Sequence, residues 1–200
     1  MNAPVLDFWF DFASTYSYPA AMRIGQLAAE AGVRVRFRPF LLGVIFKAQG
    51  WDTSPFNLYP SKGRHMWRDL ERLCADLGLP FVRPEPFPQN SLLAARVALA
   101  VDEAERADFS RAVFQAEFGD GKSIDEANLI SAVLAELRLD PAALLAAAQS
   151  TAIKDKLRAE TTEAQRLGIF GAPSFVTADG ELFWGNDRLE QALVWTKRAP

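Results

Sequence analysis

The 200-residue sequence contains one cysteine and one histidine. Cys74 has no second cysteine to pair with and no Cys-x-x-Cys exists, so dithiol redox chemistry within the chain is excluded. With only His65 beside it, a His-rich metal centre or a Cys/His catalytic pair cannot readily be built, and no metal site is expected. Basic runs are also lacking. The 22 Lys and Arg residues are scattered among 25 Asp and Glu, for a net charge of −3, which argues against a nucleic-acid partner. No apolar run is long enough to span a bilayer, and Met-Asn-Ala-Pro-Val-Leu-Asp has neither the charged start nor the apolar stretch of a signal peptide. A soluble, cytoplasmic protein without a membrane partner is expected. Cys74 lies on the apolar side of the helical pattern Leu70 to Leu77, where a small core residue is expected rather than a nucleophile.

Half of the residues are hydrophobic, enough to bury a sizeable core in one domain or one domain with a large insertion. Val5 to Phe10 reads as a buried strand. A helix follows, with Pro19 near its start, Ile24, Leu27 and Ala28 on its apolar face and Gly32 closing it. Val33 to Phe37 alternates as a second strand, and the short crossover predicts a parallel β-α-β unit. The middle has helical periodicity. Asn90 is placed to cap one helix, Ser123-Ile124-Asp125-Glu126 has the pattern of a capping box, and Asp140-Pro141 pairs a cap with an N1 proline. A last helix of this block carries Ile153, Leu157, Thr161 and Leu167 and ends at Gly168. Strand character returns at Ser174 to Thr177, Asp179-Gly180 signals a hairpin into Glu181 to Trp184, and Gly185-Asn186-Asp187 is placed to cap a final helix, Arg188 to Lys197. The expected fold class is α/β: a thioredoxin-like sheet, β-α-β … α-β-β-α, with a large all-helical insertion. The corresponding division is 1–42 with 151–200 for the thioredoxin-like unit and 43–150 for the inserted helices.

Ser14 stands where the first strand meets the first helix. Backbone N–H groups at a helix start favour negative charge, so a thiolate brought there would be stabilised, with the serine hydroxyl as a hydrogen-bond donor. By position alone Ser14, Thr15 or Ser17 equally serves as a helix cap, which is the commoner role. No histidine base lies in this segment, which argues against a serine-protease-like nucleophile. Gly171-Ala172-Pro173 precedes a strand, where a cis proline would leave the Ala172 backbone free to pair with an extended peptide. An ordinary turn proline is the alternative. Asp187, beside Asn186, can accept from a ligand ammonium group or cap the last helix. Lys62 and Arg64 can hold a carboxylate or remain solvated. The aromatic residues around the first strand and the entry to the insertion are mostly core, with some available for a flat aromatic ligand.

Four segments together resemble a known family: Phe10-Asp11-Phe12-Ala13-Ser14-Thr15-Tyr16-Ser17-Tyr18, Ser54-Pro55-Phe56-Asn57-Leu58-Tyr59-Pro60-Ser61-Lys62-Gly63, Phe170-Gly171-Ala172-Pro173-Ser174-Phe175 and Trp184-Gly185-Asn186-Asp187-Arg188-Leu189. They are similar to the 2-hydroxychromene-2-carboxylate isomerases, which group with the kappa-class glutathione transferases and the disulfide oxidoreductase DsbA. The resemblance spans nearly the whole chain, and its first and last motifs are the specific ones. It implies a thioredoxin fold with a helical insertion, a homodimer, and glutathione as cofactor. It implies that Ser14 holds the glutathione thiol as a thiolate and that Ala172, before the cis proline Pro173, pairs with the glutathione backbone. Asn186 and Asp187 then hold the γ-glutamyl end, with Trp184 beside them. Lys47, Asn57, Lys62 and Phe87 fall near the positions that line the side of the aromatic substrate. The implied reaction interconverts 2-hydroxychromene-2-carboxylate and the ring-opened hydroxybenzylidenepyruvate in aromatic catabolism, the cofactor bringing the sulfur that a cysteine-free site lacks. Thr15 departs from the proline common at its position, and His65 from an aromatic residue, often tyrosine. A kappa-like transferase that releases a glutathione conjugate needs the same site. A non-catalytic glutathione or peptide binder is the third reading, against which Ser14, Pro173 and Asp187 occur together.

Overall fold

The computed structural model describes residues 3–198; the outermost positions of the expected thioredoxin-like unit, and Met1 and Asn2 of the segment read for a leader, lie outside them. β1 (Val5–Phe10) pairs in parallel with β2 (Arg34–Pro39), placing Phe8 opposite Phe37, and antiparallel with β3 (Ser174–Thr177), placing Phe8 opposite Phe175. β4 (Leu182–Trp184) pairs antiparallel with β3, so the sheet order is β2-β1-β3-β4. β1 is central, and its two-residue alternation divides the core. Leu6, Phe8 and Phe10 face the larger cluster, while Trp9 faces a smaller one with Phe40, Ile45, Ala164 and Ile169. Asp7, on the same face as Trp9, bonds Arg36 on β2 at 2.5 and 2.8 Å.

Helix α1 (Ser17–Ala31) joins β1 to β2 and buries Tyr18, Ala21, Ile24 and Ala28; Gly32 ends it in the left-handed conformation, φ 69°. The helical block comprises α2 (Leu42–Ala48), α3 (Pro55–Leu58), α4 (Pro60–Leu77), α5 (Leu92–Ala100), α6 (Glu103–Phe114), α7 (Ala127–Glu136), α8 (Pro141–Ala148) and α9 (Thr151–Arg166). A 3-10 turn, Asn186–Arg188, leads from β4 into α10 (Leu189–Thr196). Rings continue from the sheet into the helices: Phe10 to Phe12 at 5.2 Å between centroids, then Phe12 to Phe114 at 5.1 Å. The larger cluster therefore draws on both segments of the expected division.

The capping box expected at Ser123 to Glu126 does not form. α7 starts at Ala127 with no side-chain cap bond, and the segment is fixed from outside: the Gln89 side-chain oxygen accepts from the Ile124 amide at 2.8 Å, and Ile124 is fully buried. A tertiary anchor outweighs the local pattern. Gly185-Asn186-Asp187 likewise makes no side-chain cap; the 3-10 turn stands there and α10 runs Leu189–Thr196. Asp140 does cap α8, accepting from the Ala143 amide, and Asn90 accepts from the Leu92 amide at the start of α5.

α6 runs into a π-helical turn, Gln115–Gly119, which buries Glu117 completely, with neither carboxylate oxygen bonded among the described residues. Burial first, and the charge of Asp11 second, hold this carboxyl well above the ordinary glutamate value of 4.5. The folded state keeps a proton that the unfolded chain releases, so stability is full below pH 4.5 and declines as pH rises toward the folded value. Glu117→Met is expected to raise stability at pH 8 by about 1–3 kcal/mol, or roughly 2–12 °C in Tm, and to flatten this decline. A lower Tm at pH 8 would mean that the carboxylate has a partner the fold needs.

Candidate active site

β1 ends against Asp11, whose buried carboxylate organises the turn that follows. One oxygen accepts from the Ala13 amide at 3.0 Å and the other from the Leu42 amide at 2.7 Å. Burial raises the Asp11 pKa, opposed by its hydrogen bonds to Ser91, Leu42 and Ala13. The Asp11 carbonyl accepts from the Ser14 amide at 3.0 Å, and the Ser14 carbonyl accepts from Ser17 at 3.1 Å as α1 begins.

Ser14 is not the helix cap. Tyr16 holds that position, with no side-chain cap bond. The Ser14 hydroxyl instead donates to the Ala172 carbonyl at 2.9 Å, across 158 positions of sequence. The Ala172–Pro173 peptide is cis, as are Glu85–Pro86 and Phe87–Pro88. Among the described residues the amides of Thr15, Tyr16 and Ala172 make no hydrogen bond. A hydroxyl, two unbonded amides at a helix start and the unbonded Ala172 amide of the cis-proline turn thus line one cavity. Such donors suit an anionic sulfur carried by a short peptide.

The loop facing Ser14 is pinned to the β4 turn, since the Pro173 carbonyl accepts from the Gly185 amide at 2.9 Å. Trp184 packs at a tilt against Phe170, centroids 4.9 Å apart, and both are about half exposed. A Cβ at Gly171 would lie 2.3 Å from the Trp184 indole nitrogen, so any side chain there would have to displace the indole. Gly185 has φ +107°, and its Cβ would meet the Asp187 carboxylate at 2.6 Å. Asn186 is buried and held by Arg23 of α1, which donates to its side-chain oxygen at 3.0 Å and its carbonyl at 2.6 Å. Asp187 is exposed, and among the described residues its one ion pair is with Arg188 at 3.4 Å. Burial, the bond to Asp69 and, more weakly, the charge of Asp187 raise the Tyr16 pKa, which places Asp187 within electrostatic reach of the Ser14 turn.

A cavity of about 990 Å³ opens beside Ser14. Ser14, Ala172 and Trp184 form one end, and Phe46, Trp51, Phe56, Met66 and Phe87 supply aromatic and apolar wall. Lys62 and His65, one turn apart on α4, are the basic side chains on the wall. The Thr15 hydroxyl donates to the Met66 sulfur at 3.2 Å, so its departure from proline is accommodated by packing. The cavity brings together five of the sequence-predicted residues: Ser14, Ala172, Trp184, Lys62 and Phe87. Pro173, Asn186 and Asp187 lie beyond its rim on the β4 side, and Lys47 is exposed on α2, off the wall. Asn57 is also off the wall, donating to Thr53 and to the Phe87 carbonyl at 3.2 and 3.3 Å.

Cys74 is buried, and burial pushes its thiol up to about 11, against a role as nucleophile. No group of three His, Cys, Asp or Glu capable of holding a metal, and no helix long and apolar enough to cross a membrane, occurs among the described residues. Sequence reasoning placed Asp11 and Gly171 within motifs without giving either position a role of its own, and did not name Arg23. For Asp11 a local signal exists, an aspartate two residues before a turn amide; for Arg23 and Gly171 the partner is remote and the sequence carries none.

Residues 5–193 match the DSBA-like thioredoxin domain model. A 2-hydroxychromene-2-carboxylate isomerase of Sphingobium xenophagum is 33% identical over 92% of this chain and 94% of its own. Glutathione S-transferase kappa 2 of Caenorhabditis elegans is 27% identical over 95% of this chain and 90% of its own. Among solved structures, that of a 2-hydroxychromene-2-carboxylate isomerase superposes with a TM-score of 0.87 at 30% identity, covering 97% of this chain and 95% of the other.

Proposed function

The chain belongs to the 2-hydroxychromene-2-carboxylate isomerases of the DSBA-like thioredoxin family, and from that membership we propose that it is a glutathione-dependent cis–trans isomerase of unsaturated aryl 2-oxo acids, interconverting 2-hydroxychromene-2-carboxylate and hydroxybenzylidenepyruvate. The observation that carries the reading is the Ser14 hydroxyl turned away from the helix cap and onto the Ala172 carbonyl.

The residues present fit glutathione. Ala172 has an unbonded amide for pairing with a peptide, and the unbonded Thr15 and Tyr16 amides flank the Ser14 hydroxyl at the positive end of α1. Asp187, free of strong partners, accepts the γ-glutamyl ammonium, and Asn186 is fixed by Arg23 to shape that end. Glutathione supplies a sulfur nucleophile that adds reversibly to a conjugated double bond and so permits rotation about it. With glutathione bound, the Ser14 hydroxyl would turn its single proton from the Ala172 carbonyl to that sulfur and favour its thiolate form near neutral pH. Phe46, Trp51 and Phe87 hold the aromatic body and exclude water, and Lys62 with His65 faces the carboxylate end. Lys47 and Asn57, off the wall, are left to the approach rather than the seat of the substrate.

Asp187→Ala is expected to weaken glutathione binding about tenfold, the loss of one charge-assisted bond of about 1.4 kcal/mol, with turnover at saturating glutathione little changed. Titration calorimetry reads this directly, and an unchanged Kd removes Asp187 from the site. The likeness to a kappa-class transferase favours a second reading, in which the sulfur adduct is released rather than reversed. A stable, mass-shifted conjugate of an aryl electrophile selects that reading; isomerised substrate recovered at its original mass selects the first. The family resemblance also implies a homodimer, for which light scattering measures the oligomer.

A further inference from the structure

A second cleft, of about 320 Å³, lies where α2, α5 and α9 meet, behind the wall formed by Leu41, Val44 and Leu92 that it shares with the large cavity. Its lining contains Arg96 of α5 and Lys154 and Arg158 of α9, and no acidic residue. In a chain of net charge −3 this concentration of cations is unusual. Arg158 is exposed and paired with Asp155. The other two are uncommitted. The Arg96 Nε is buried without a hydrogen-bond partner, and neither Arg96 nor Lys154 makes an ion pair or side-chain hydrogen bond among the described residues. Buried guanidinium N–H groups are ordinarily bonded, and a planar fork is suited to a carboxylate. The rest of the lining is apolar, from Leu41, Val44, Leu92 and Leu157, apart from the threonines and glutamine of α9.

We propose that this cleft is a binding site for a small amphipathic carboxylate, with Arg96 and Lys154 holding the carboxylate and the leucines its apolar body. The volume matches the lower end of small-molecule sites and exceeds the ~150 Å³ cavity known to take a single benzene ring, so a one-ring aryl carboxylate is the ligand class. The site is separate from the glutathione end and does not depend on the function proposed above. It is mechanically connected to the large cavity, because the Thr161 hydroxyl in the cleft accepts from the Leu41 amide at 3.2 Å, where α2 begins. A ligand in the cleft therefore bears on the helix that carries Phe46 into the cavity.

The test is methyl-resolved NMR of the glutathione-free protein titrated with 3-phenylpropionate. Leu157, Thr161 and Thr162 report the cleft, and Met66 reports the large cavity. Saturable shifts at the cleft methyls are expected, with a Kd at least tenfold weaker in Arg96→Gln and also weakened in Lys154→Gln, which guards against a folding defect in the first variant. Shifts confined to Met66, or cleft shifts that survive both substitutions, overturn the site. Equal shifts from inorganic phosphate at matched ionic strength also overturn it, since they reduce the cleft to a diffuse cationic patch with no use for an apolar body. None of these outcomes depends on isomerase activity, so failure here is distinguishable from failure of the proposed function.

Discussion

Ser14→Ala is expected to lower glutathione-dependent turnover by about 10²–10³-fold, the loss that follows removal of one preorganised donor to developing or resident negative charge. The hydroxyl sits beside two unbonded amides at the start of α1, so the variant keeps the helix dipole and loses the only side-chain donor of the group. A charge-assisted bond of about 1.5–3 kcal/mol favours the thiolate by roughly one to two pKa units. The rising limb of kcat/KM with pH should therefore move upward by that amount. Stability should change little, because the bond lost, from Ser14 to the Ala172 carbonyl, is worth about 0.5–1.5 kcal/mol, or roughly 1–6 °C in Tm. The pH profile separates a chemical from a structural role. A variant with an unshifted profile and turnover within a fewfold of wild type would reduce Ser14 to a tie between two loops.

Asp11→Asn is expected to cost about 2–3 kcal/mol of stability, lowering Tm by roughly 4–12 °C, and to reduce turnover as well. Both Asp11 oxygens accept backbone N–H groups, from Ala13 and Leu42, in a fully buried position. An asparagine retains one acceptor and turns an N–H₂ against the other amide, leaving two donors face to face. The two amides belong to the Ser14 turn and to the first residue of α2, so the error reaches both that turn and the cavity wall. Thermal denaturation with parallel glutathione titration is the measurement. An asparagine variant as stable as wild type, with unchanged binding, would show that the turn is held by the chain on either side and not by the carboxylate.

Much of the architecture was legible from local pattern. The aromatic run Val5 to Phe10, the Gly32 stop after α1, the Asp140-Pro141 start of α8 and the Asp179-Gly180 hairpin all depend on interactions within a few residues, and all are found as read. The lack of a second cysteine likewise settled, without any structure, that this chain carries no internal disulfide chemistry. Local patterns failed where a remote side chain took over. Gln89 holds Ile124 where the capping box was expected, and Arg23 takes the Asn186 oxygen within the Gly185-Asn186-Asp187 segment placed to cap the last helix.

The character of Ser14 was not fixed by position, where a serine before a helix is more commonly a cap than a thiolate donor. The antiparallel register of β3 on β1 removed the cap reading, by bringing the Ala172 carbonyl within 2.9 Å of a hydroxyl 158 residues away. The same packing placed Lys62 and Phe87 on the cavity wall and left Lys47 and Asn57 off it, although all four came from equally plausible segments. Sequence by itself determined the elements, their order and the absence of dithiol chemistry, because propensity, capping and residue count are local or global properties of the chain. Only the tertiary structure decided which polar groups face one another, because that depends on strand register and helix packing, to which neighbours in sequence are blind.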